Sequence, residues 1–248
     1  MTTYGLIGYP LVHSFSHKFF TEKFAKEGID AEYLNFEIPS LDDFLQLIAD
    51  HPTLQGLNVT IPYKEKVMAY LDELDPEATA IGAVNVISVS RNNGKVKLKG
   101  FNADVIGFVR SIQPLLKPHH KKALILGTGG ASKAIGYGLH KLGLQTTLVS
   151  RRPINDKMLS YGQLNKDVMQ QYTVIVNCSP VGTFPNVNAC PDIPYGSLGE
   201  EHLLYDLVYN PDRTLFLQKG EQQGAQIKNG LEMLHLQALA GWDIWQRH

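Results

Sequence analysis

The sequence KKALILGTGGASKAIGYGLHKLGLQTTLVSRR, residues Lys121 to Arg152, decides the fold of the chain around it. Ala123 to Leu126 is apolar at every position, which is typical of a parallel strand buried on both faces. A glycine-rich turn follows, then a helical pattern that Gly143 ends, and then a second β-rich run, Thr146 to Val149. This succession predicts a strand–turn–helix–strand unit of the kind that binds a dinucleotide.

The glycine turn, Gly127-Thr128-Gly129-Gly130, leads from the first strand into the helix. Glycines allow the backbone to approach a pyrophosphate closely, and the first N–H groups of a helix attract negative charge. The full G-x-G-x-x-G pattern is absent from the sequence, because Ser132 stands at the position of the third glycine. The turn therefore indicates a nucleotide site, with an ordinary strand–turn–helix connection as the alternative.

The second strand of this unit ends in Ser150-Arg151-Arg152, and the next carboxylate is that of Asp156. A site selective for NAD usually carries an acidic residue here, about 20 residues after the glycines. Two guanidinium groups can instead hold a 2′-phosphate through bidentate charge-assisted hydrogen bonds. The sequence thus predicts NADP as the cofactor, with a solvated basic loop as the alternative.

The composition is that of a globular protein, since 44% of the 248 residues are hydrophobic and 19% are charged. A formal net charge of −1 gives no long-range attraction for nucleic acid or for an anionic membrane. No apolar run approaches the ~18 residues of a membrane span. Cys178, Cys190 and the nine histidines lack metal-ligand spacing, so we expect no metal. Free thiols and a start without signal-peptide character favour the cytoplasm.

Polar residues stand where predicted strands of the first hundred residues end, which is where open α/β sheets place ligand groups. Two serine hydroxyls could bind a carboxylate, although Ser16 on its own is more simply interpreted as a helix cap. Lys64 is predicted to begin a helix, where a lysine is usually surface decoration. The residues concerned are Ser14, Ser16, Asn58, Thr60 and Lys64.

The chain is predicted to have two α/β domains. Strands and helices alternate after Lys121, which implies a Rossmann-like doubly wound parallel sheet. The first part alternates in the same way but ends in a hairpin around Asn92-Asn93-Gly94, which implies a separate mixed sheet. Asp104 opens the helix that follows the hairpin, and its simplest role is to charge the first turn.

Eight stretches of the sequence, taken in order, carry a resemblance to one known family. They are Gly8-Tyr9-Pro10 with His13-Ser14-Phe15-Ser16, Asn58-Val59-Thr60-Ile61-Pro62-Tyr63-Lys64, Gly82-Ala83-Val84-Asn85, Asn102-Ala103-Asp104, Gly127-Thr128-Gly129-Gly130-Ala131, Asn177-Cys178-Ser179-Pro180-Val181-Gly182, Asp206-Leu207-Val208-Tyr209-Asn210-Pro211 and Gly230-Leu231-Glu232-Met233-Leu234 with Gln237. In this order they resemble the shikimate dehydrogenase family over nearly the whole chain.

The resemblance implies reversible NADP-linked reduction of 3-dehydroshikimate to shikimate. We expect these small molecules as partners, no nucleic acid or membrane, and a monomer or a homodimer. The resemblance implies that Ser14 and Ser16 hold the substrate carboxylate. It further implies that neutral polar side chains surround the ring hydroxyls, as a polyhydroxylated ring requires. These are Asn58, Thr60, Asn85, Tyr209 and Gln237, with Asp104 beside them.

Lys64 and Asp104 are the pair expected to carry the chemistry in this resemblance. When hydride reaches the C3 carbonyl, its oxygen becomes an alkoxide, which a lysinium can stabilise and protonate. The cofactor is implied to contact Gly127, Thr128, Gly129, Gly130, Ala131, Ser150, Arg151, Arg152, Leu207 and Gly230.

The domain boundaries implied are 1–101 plus 231–248 for the substrate domain and 102–230 for the NADP-binding domain. The sequence departs from the family pattern at His17, which replaces a proline, and at Ala103, Ser150, Arg152 and Ser179. Two alternatives stay open: a quinate/shikimate dehydrogenase that uses NAD or both cofactors, and a non-catalytic metabolite-binding regulator on the same fold.

Overall fold

The computed structural model describes residues 1–11 and 14–247. His13, which belongs to the first matching stretch, lies outside the described residues. The chain forms two compact units, Met1–Ala103 with Ala238–His248, and Asp104–Gln237. Each unit is built on a six-stranded sheet of its own.

The first unit contains a mixed sheet. In chain order its elements are β1 (Thr2–Gly8), α1 (Phe15–Glu27), β2 (Ala31–Glu37), α2 (Phe44–Asp50), β3 (Leu54–Val59), β4 (Glu73–Leu74), α3 (Pro76–Ile81), β5 (Val86–Asn92) and β6 (Lys95–Phe101). The strand order is β2-β1-β3-β5-β6-β4. β1 is parallel to β2 and β3, whereas β5 is antiparallel to β3 and β6.

The predicted hairpin is the connection between β5 and β6. Its two central residues, Asn93 and Gly94, have φ angles of 52° and 76°. Both therefore adopt the left-handed conformation that a two-residue hairpin turn of this type requires, and Asn and Gly are the residues that tolerate it best.

The second unit contains a parallel sheet. Its elements are α4 (Asp104–Ile112), β7 (Lys122–Leu126), α5 (Gly130–Lys141), β8 (Gln145–Ser150), β9 (Met158–Ser160), α6 (Lys166–Gln171), β10 (Val174–Asn177), β11 (Leu203–Asp206), α7 (Leu215–Gln222), β12 (Gln226–Lys228) and the start of α8 (Leu231–Arg247). The strand order is β12-β11-β10-β7-β8-β9, and every pair is parallel. The order reverses between β7 and β10, as in doubly wound folds. The predicted α/β fold class, with one mixed and one doubly wound sheet, is confirmed.

Apolar clusters cover both faces of the second sheet. On one face, Phe108 of α4 and Ile135 of α5 pack on inward residues of β7 and β10. On the other, Met169 of α6 and Phe216 of α7 pack on the alternate residues of the same strands. Burial on both faces explains why these strands are apolar without alternation.

An aromatic cluster fills the first unit beside β1. Trp245 of α8 stacks on Tyr4, with ring centroids 4.9 Å apart, and its indole N–H donates to Ile87 O at 3.0 Å. Gly56 lies against this indole, where an added Cβ would collide with the ring. Trp242, also on α8, packs edge-on against Tyr4. The end of α8 is thus tied into the first sheet by rings and one hydrogen bond.

The compact units end at 103/104 and 237/238, whereas the sequence placed the boundaries at 101/102 and 230/231. At the first boundary, Ala103 N donates to Asn85 Oδ1 at 2.6 Å, which holds this residue to the first unit. At the second, an added Cβ on Gly107 of α4 would lie 2.6 Å from Met233 O. The first two turns of α8 therefore pack on α4, in the second unit.

No helix among residues 1–11 and 14–247 is both long and apolar enough to cross a membrane.

Candidate active site

The glycine turn lies at the carboxyl end of β7, at the point where the strand order reverses. Gly127 has a φ of +113°, and its N–H donates to Val149 O at 2.9 Å. An added Cβ there would be 3.3 Å from the backbone of Cys178 and of Ser179, which follow β10. Only glycine combines this backbone conformation with so close an approach of the neighbouring chain.

The start of α5 faces open space. Gly129 precedes the helix, its φ and ψ are extended, and an added Cβ would meet nothing within 4 Å. No side chain caps the first turn. Ser132 donates its hydroxyl to Gly129 O at 2.6 Å and is therefore satisfied inside the turn. The turn provides a cradle for an anionic group, although Ser132 replaces the third glycine.

The two arginines lie at the same edge of the sheet as the glycine turn. β7 and β8 are parallel neighbours with Leu126 opposite Val149, so Gly127, which follows β7, lies beside Ser150, the last residue of β8. Ser150 Oγ accepts from Arg152 N at 3.1 Å. Both guanidinium side chains are exposed, and no carboxylate pairs with either in the described part of the chain.

Leu207 and Gly230 meet near the end of β11. Leu207 N donates to Asn177 O at 2.9 Å, and Gly230 N donates to Val208 O at 3.3 Å. An added Cβ on Gly230 would overlap the carbonyl of Leu207. A side chain at position 230 would therefore displace the backbone at this edge.

A buried carboxylate, Asp206, organises the loops at this edge. It accepts hydrogen bonds from Asn177 Nδ2 at 2.9 Å, Val208 N at 3.0 Å and Thr214 Oγ1 at 2.6 Å. Asn177 in turn accepts from Ser179 through both N–H and hydroxyl. Desolvation raises the pKa of Asp206 to about 6, against the opposing effect of the three donors.

The buried Asp206 is expected to make the second unit less stable as pH rises from about 4 to 7. Its pKa is about 6 in the folded chain and 3.8 as a model compound, so the folded state binds the proton more tightly. The contribution of Asp206 to the free energy of unfolding is complete below pH 3.8. It falls by up to about 3 kcal/mol as pH rises past 6. The check is urea unfolding of wild type and Asp206→Asn, which keeps the accepting oxygen, at pH 4, 5.5 and 7.

The unfolding free energy of wild type minus that of Asp206→Asn should fall as pH rises, because only wild type loses the contribution of this group. Asp156→Asn, which changes an exposed carboxylate of the same unit, is the matched control and should follow wild type at every pH. A constant difference between wild type and Asp206→Asn would show that Asp206 does not titrate in this range.

In the first unit, Ser14 and not Ser16 caps α1. The helix begins at Phe15, and Ser14 Oγ accepts from His17 N at 3.0 Å. The interpretation of Ser16 as the cap is therefore wrong by two residues, because Ser16 lies inside the first turn of the helix. A proline at position 17 has no N–H to give, so the capping bond depends on this departure from the family pattern.

Asn58 and Asn85 lie on neighbouring segments of the first sheet. Asn58 Oδ1 accepts from the Tyr33 hydroxyl at 2.7 Å, and Asn58 Nδ2 donates to Asn85 O at 3.4 Å. Both amides are buried, with exposures of 5% and 3%. We name Tyr33, Asn58 and Asn85 the hydroxyl–amide chain.

Thr60 and Lys64 follow β3. Thr60 N donates to Ile7 O at 3.0 Å, and Lys64 O accepts from Val84 N at 2.8 Å. The prediction that Lys64 begins a helix is wrong: it lies in a turn, and a short 3₁₀ helix, Lys66–Tyr70, comes after it. Its side chain is half-buried. The hydrogen bond from Val84 N fixes the backbone from which this side chain extends.

The remaining predicted residues belong to the second unit. Asp104 begins α4 and is 7% exposed. Gln237 of α8 is equally buried, donates to Leu234 O at 2.9 Å, and packs on Gly107, one turn from Asp104. Tyr209 follows β11 and is 40% exposed.

Comparison with known proteins agrees with this geometry. Residues 6–87 match the family model described as the shikimate dehydrogenase substrate binding domain. A shikimate dehydrogenase (NADP(+)) of Caldicellulosiruptor saccharolyticus is 34% identical over 257 residues, which cover 97% of this chain and 90% of the relative. The chain belongs to the shikimate dehydrogenase family.

Solved structures of the family superimpose on the whole chain. The enzyme of Thermus thermophilus, in complex with NADP(H) and shikimate, has a TM-score of 0.85 at 29% identity, with 100% of this chain and 94% of that one covered. That of Listeria monocytogenes, in complex with shikimate and NAD, has a TM-score of 0.85 at 28% identity and 92% coverage of its chain.

Sequence reasoning missed Tyr33 and Asp206 as organisers of the family's polar residues in this chain. Asp206 lay within a matching stretch but received no role, and only its complete burial distinguishes it from other carboxylates. Tyr33 lies in a strand of alternating pattern, where an aromatic residue is ordinarily part of the core. The partner of its hydroxyl comes from another strand, so no local signal could have found it.

Proposed function

We propose that this protein catalyses the reversible NADP-linked reduction of 3-dehydroshikimate to shikimate. The observation that carries the proposal is similarity to an NADP-dependent shikimate dehydrogenase over 97% of the chain. The reaction is a step toward chorismate and the aromatic amino acids. The first unit binds the substrate, and the second binds the cofactor.

The polar residues of the first unit suit the substrate's chemistry. Ser14 accepts from His17 N, which leaves its hydroxyl proton to donate to the substrate carboxylate. Ser16 contributes a second hydroxyl. Ring hydroxyls bind Asn58, Thr60 and Asn85 of this unit, and the family pattern adds Tyr209 and Gln237 of the second unit.

Lys64 is the proton donor in this proposal. Reduction of the C3 carbonyl creates negative charge on its oxygen, and the lysinium Nζ stabilises that charge and then gives up its proton. In the oxidation direction the neutral amine takes the hydroxyl proton. Asp104, buried at the start of α4, is the second residue that the family pattern assigns to the chemistry.

The second unit fits NADP by its shape and charge. The positive φ at Gly127, the open space at Gly129 and the uncapped start of α5 suit a pyrophosphate. Arg151 and Arg152 suit a 2′-phosphate, and Gly230 keeps the backbone of Leu207 clear of a side chain. When bound, the cofactor supplies the hydride. Thr128, Gly130, Ala131 and Ser150 complete the cofactor contacts.

The protein is proposed to work in the cytoplasm as a monomer or a homodimer. Its two cysteines, Cys178 and Cys190, are unpaired, which suits a reducing compartment. Size-exclusion chromatography with light scattering distinguishes the two assembly states.

An assay of shikimate oxidation with NADP and with NAD tests the function. We expect kcat/KM with NADP to exceed that with NAD by about 10-fold or more, since two charge-assisted contacts recognise the 2′-phosphate. Quinate, offered as a competing substrate, should react more slowly.

Comparable rates with NAD would favour the dual-cofactor alternative. A family member has been solved in complex with shikimate and NAD, which supports keeping that alternative in the test. Shikimate binding by calorimetry without turnover would instead favour a non-catalytic regulator.

A further inference from the structure

Tyr33 begins the hydroxyl–amide chain. Its hydroxyl donates to Asn58 Oδ1 at 2.7 Å. The residue is 3% exposed, and its ring stacks on Phe20 with centroids 4.8 Å apart and planes 13° from parallel. Burial raises the pKa of Tyr33, so the hydroxyl keeps its proton. The ring is fixed, and so is the direction of its hydrogen bond.

This bond decides which face Asn58 offers to a ligand. Because Oδ1 accepts from Tyr33, the side-chain amide cannot exchange its oxygen and nitrogen without losing the bond. One proton of Nδ2 goes to Asn85 O at 3.4 Å. The second proton of Nδ2 takes part in neither of these two bonds. Held in this orientation, Asn58 can donate that proton to a ligand.

We propose that Tyr33 is a positioning residue for substrate binding, whose hydroxyl fixes the Asn58 amide so that it donates to a ring hydroxyl oxygen of the substrate. This inference rests on the proposed function. Without the hydroxyl, Oδ1 loses its donor inside the sheet and the amide is free to rotate, so the donor is present for only part of the time.

The test replaces Tyr33 by phenylalanine, which keeps the ring and its stacking on Phe20. We expect KM for shikimate to rise about 10-fold, the effect of one buried polar group left without its partner. We expect kcat and KM for NADP to stay within about twofold, because neither depends on Asn58. Tyr4→Phe is the matched control: Tyr4 is also buried in this unit, its hydroxyl accepts from Gln246 Nε2 at 3.4 Å, and its loss should leave all three constants unchanged.

A double-mutant cycle with Asn58→Ala separates positioning from general destabilisation. If Tyr33 acts through Asn58, Tyr33→Phe should raise KM less than about twofold in the Asn58→Ala background. An equal rise in both backgrounds, a parallel rise in KM for NADP, or an unchanged KM in Tyr33→Phe would overturn the inference.

The same measurements distinguish failure of the Tyr33 role from failure of the proposed function. If wild type oxidises shikimate and the cycle shows no coupling, only the role of Tyr33 is wrong. If wild type neither oxidises nor binds shikimate, the proposed function fails, and the role of Tyr33 fails with it.

Discussion

Lys64→Ala is expected to lower kcat for shikimate oxidation by about 100-fold or more, with a modest change in KM. General acid–base groups typically contribute factors of this size, because the transition state needs a proton at the C3 oxygen. The loss should appear in kcat since the contact strengthens as charge develops on that oxygen. Steady-state kinetics in both directions measures it.

Lys66→Ala is the matched control for this variant. Lys66 lies two residues further along the same segment, is exposed, and carries the same charge. Its removal should leave kcat unchanged, so any general effect of net charge or local backbone is accounted for. A near-wild-type kcat in Lys64→Ala would remove Lys64 from the chemistry.

Replacing both Arg151 and Arg152 by alanine is expected to raise KM for NADP about 100-fold while KM for NAD changes less than about threefold. Each charge-assisted hydrogen bond to a phosphate contributes about 1.5–3 kcal/mol. NAD has no 2′-phosphate, so its binding does not depend on these bonds. The preference for NADP should therefore largely disappear. The measurement is initial rate against each cofactor at saturating shikimate.

A control with the same charge change is Arg110→Ala with Lys117→Ala, which alters two exposed cations elsewhere in the second unit. Its cofactor preference should equal that of wild type. Parallel losses with NADP and NAD in the Arg151/Arg152 variant would mean that the arginines support the loop and do not recognise the phosphate.

The parallel sheet could be predicted because its strands are buried on both faces and contain only apolar residues at their centres. Strands β7 and β10 show this directly, with every residue from Ala123 to Leu126 and from Val174 to Val176 at most 1% exposed. Local signals also sufficed for the hairpin at Asn93-Gly94, whose conformation few other residue pairs allow.

The start of α1 could not be settled by local pattern, since Ser14 and Ser16 are equally good caps by residue type. The structure places the cap at Ser14, whose Oγ accepts from His17 N at 3.0 Å. Near Lys64 the deciding contact is distant in sequence, because Tyr63 is buried and its hydroxyl donates to Ile38 O at 2.5 Å. Tertiary contacts of this kind override short helical propensity.

The candidate site residues were found by resemblance to a family and not by periodicity or spacing. The pattern alone gives Asp104 no more than a place in a first helical turn. In α8, Leu231 is 39% exposed while Met233 and Ala238 are buried, and the start of the helix packs on α4 whereas its end packs on Tyr4. A helix that changes its neighbours along its length has no single apolar face to read.

The aromatic cluster at the end of α8 has a spectroscopic consequence. The chain contains two tryptophans, and both Trp242 and Trp245 belong to the first compact unit. Intrinsic indole fluorescence therefore reports on that unit alone, while far-ultraviolet circular dichroism follows the helices of both. Recording the two signals through one denaturant titration separates the unfolding of the substrate-binding half from that of the nucleotide-binding half, with no label and no substitution.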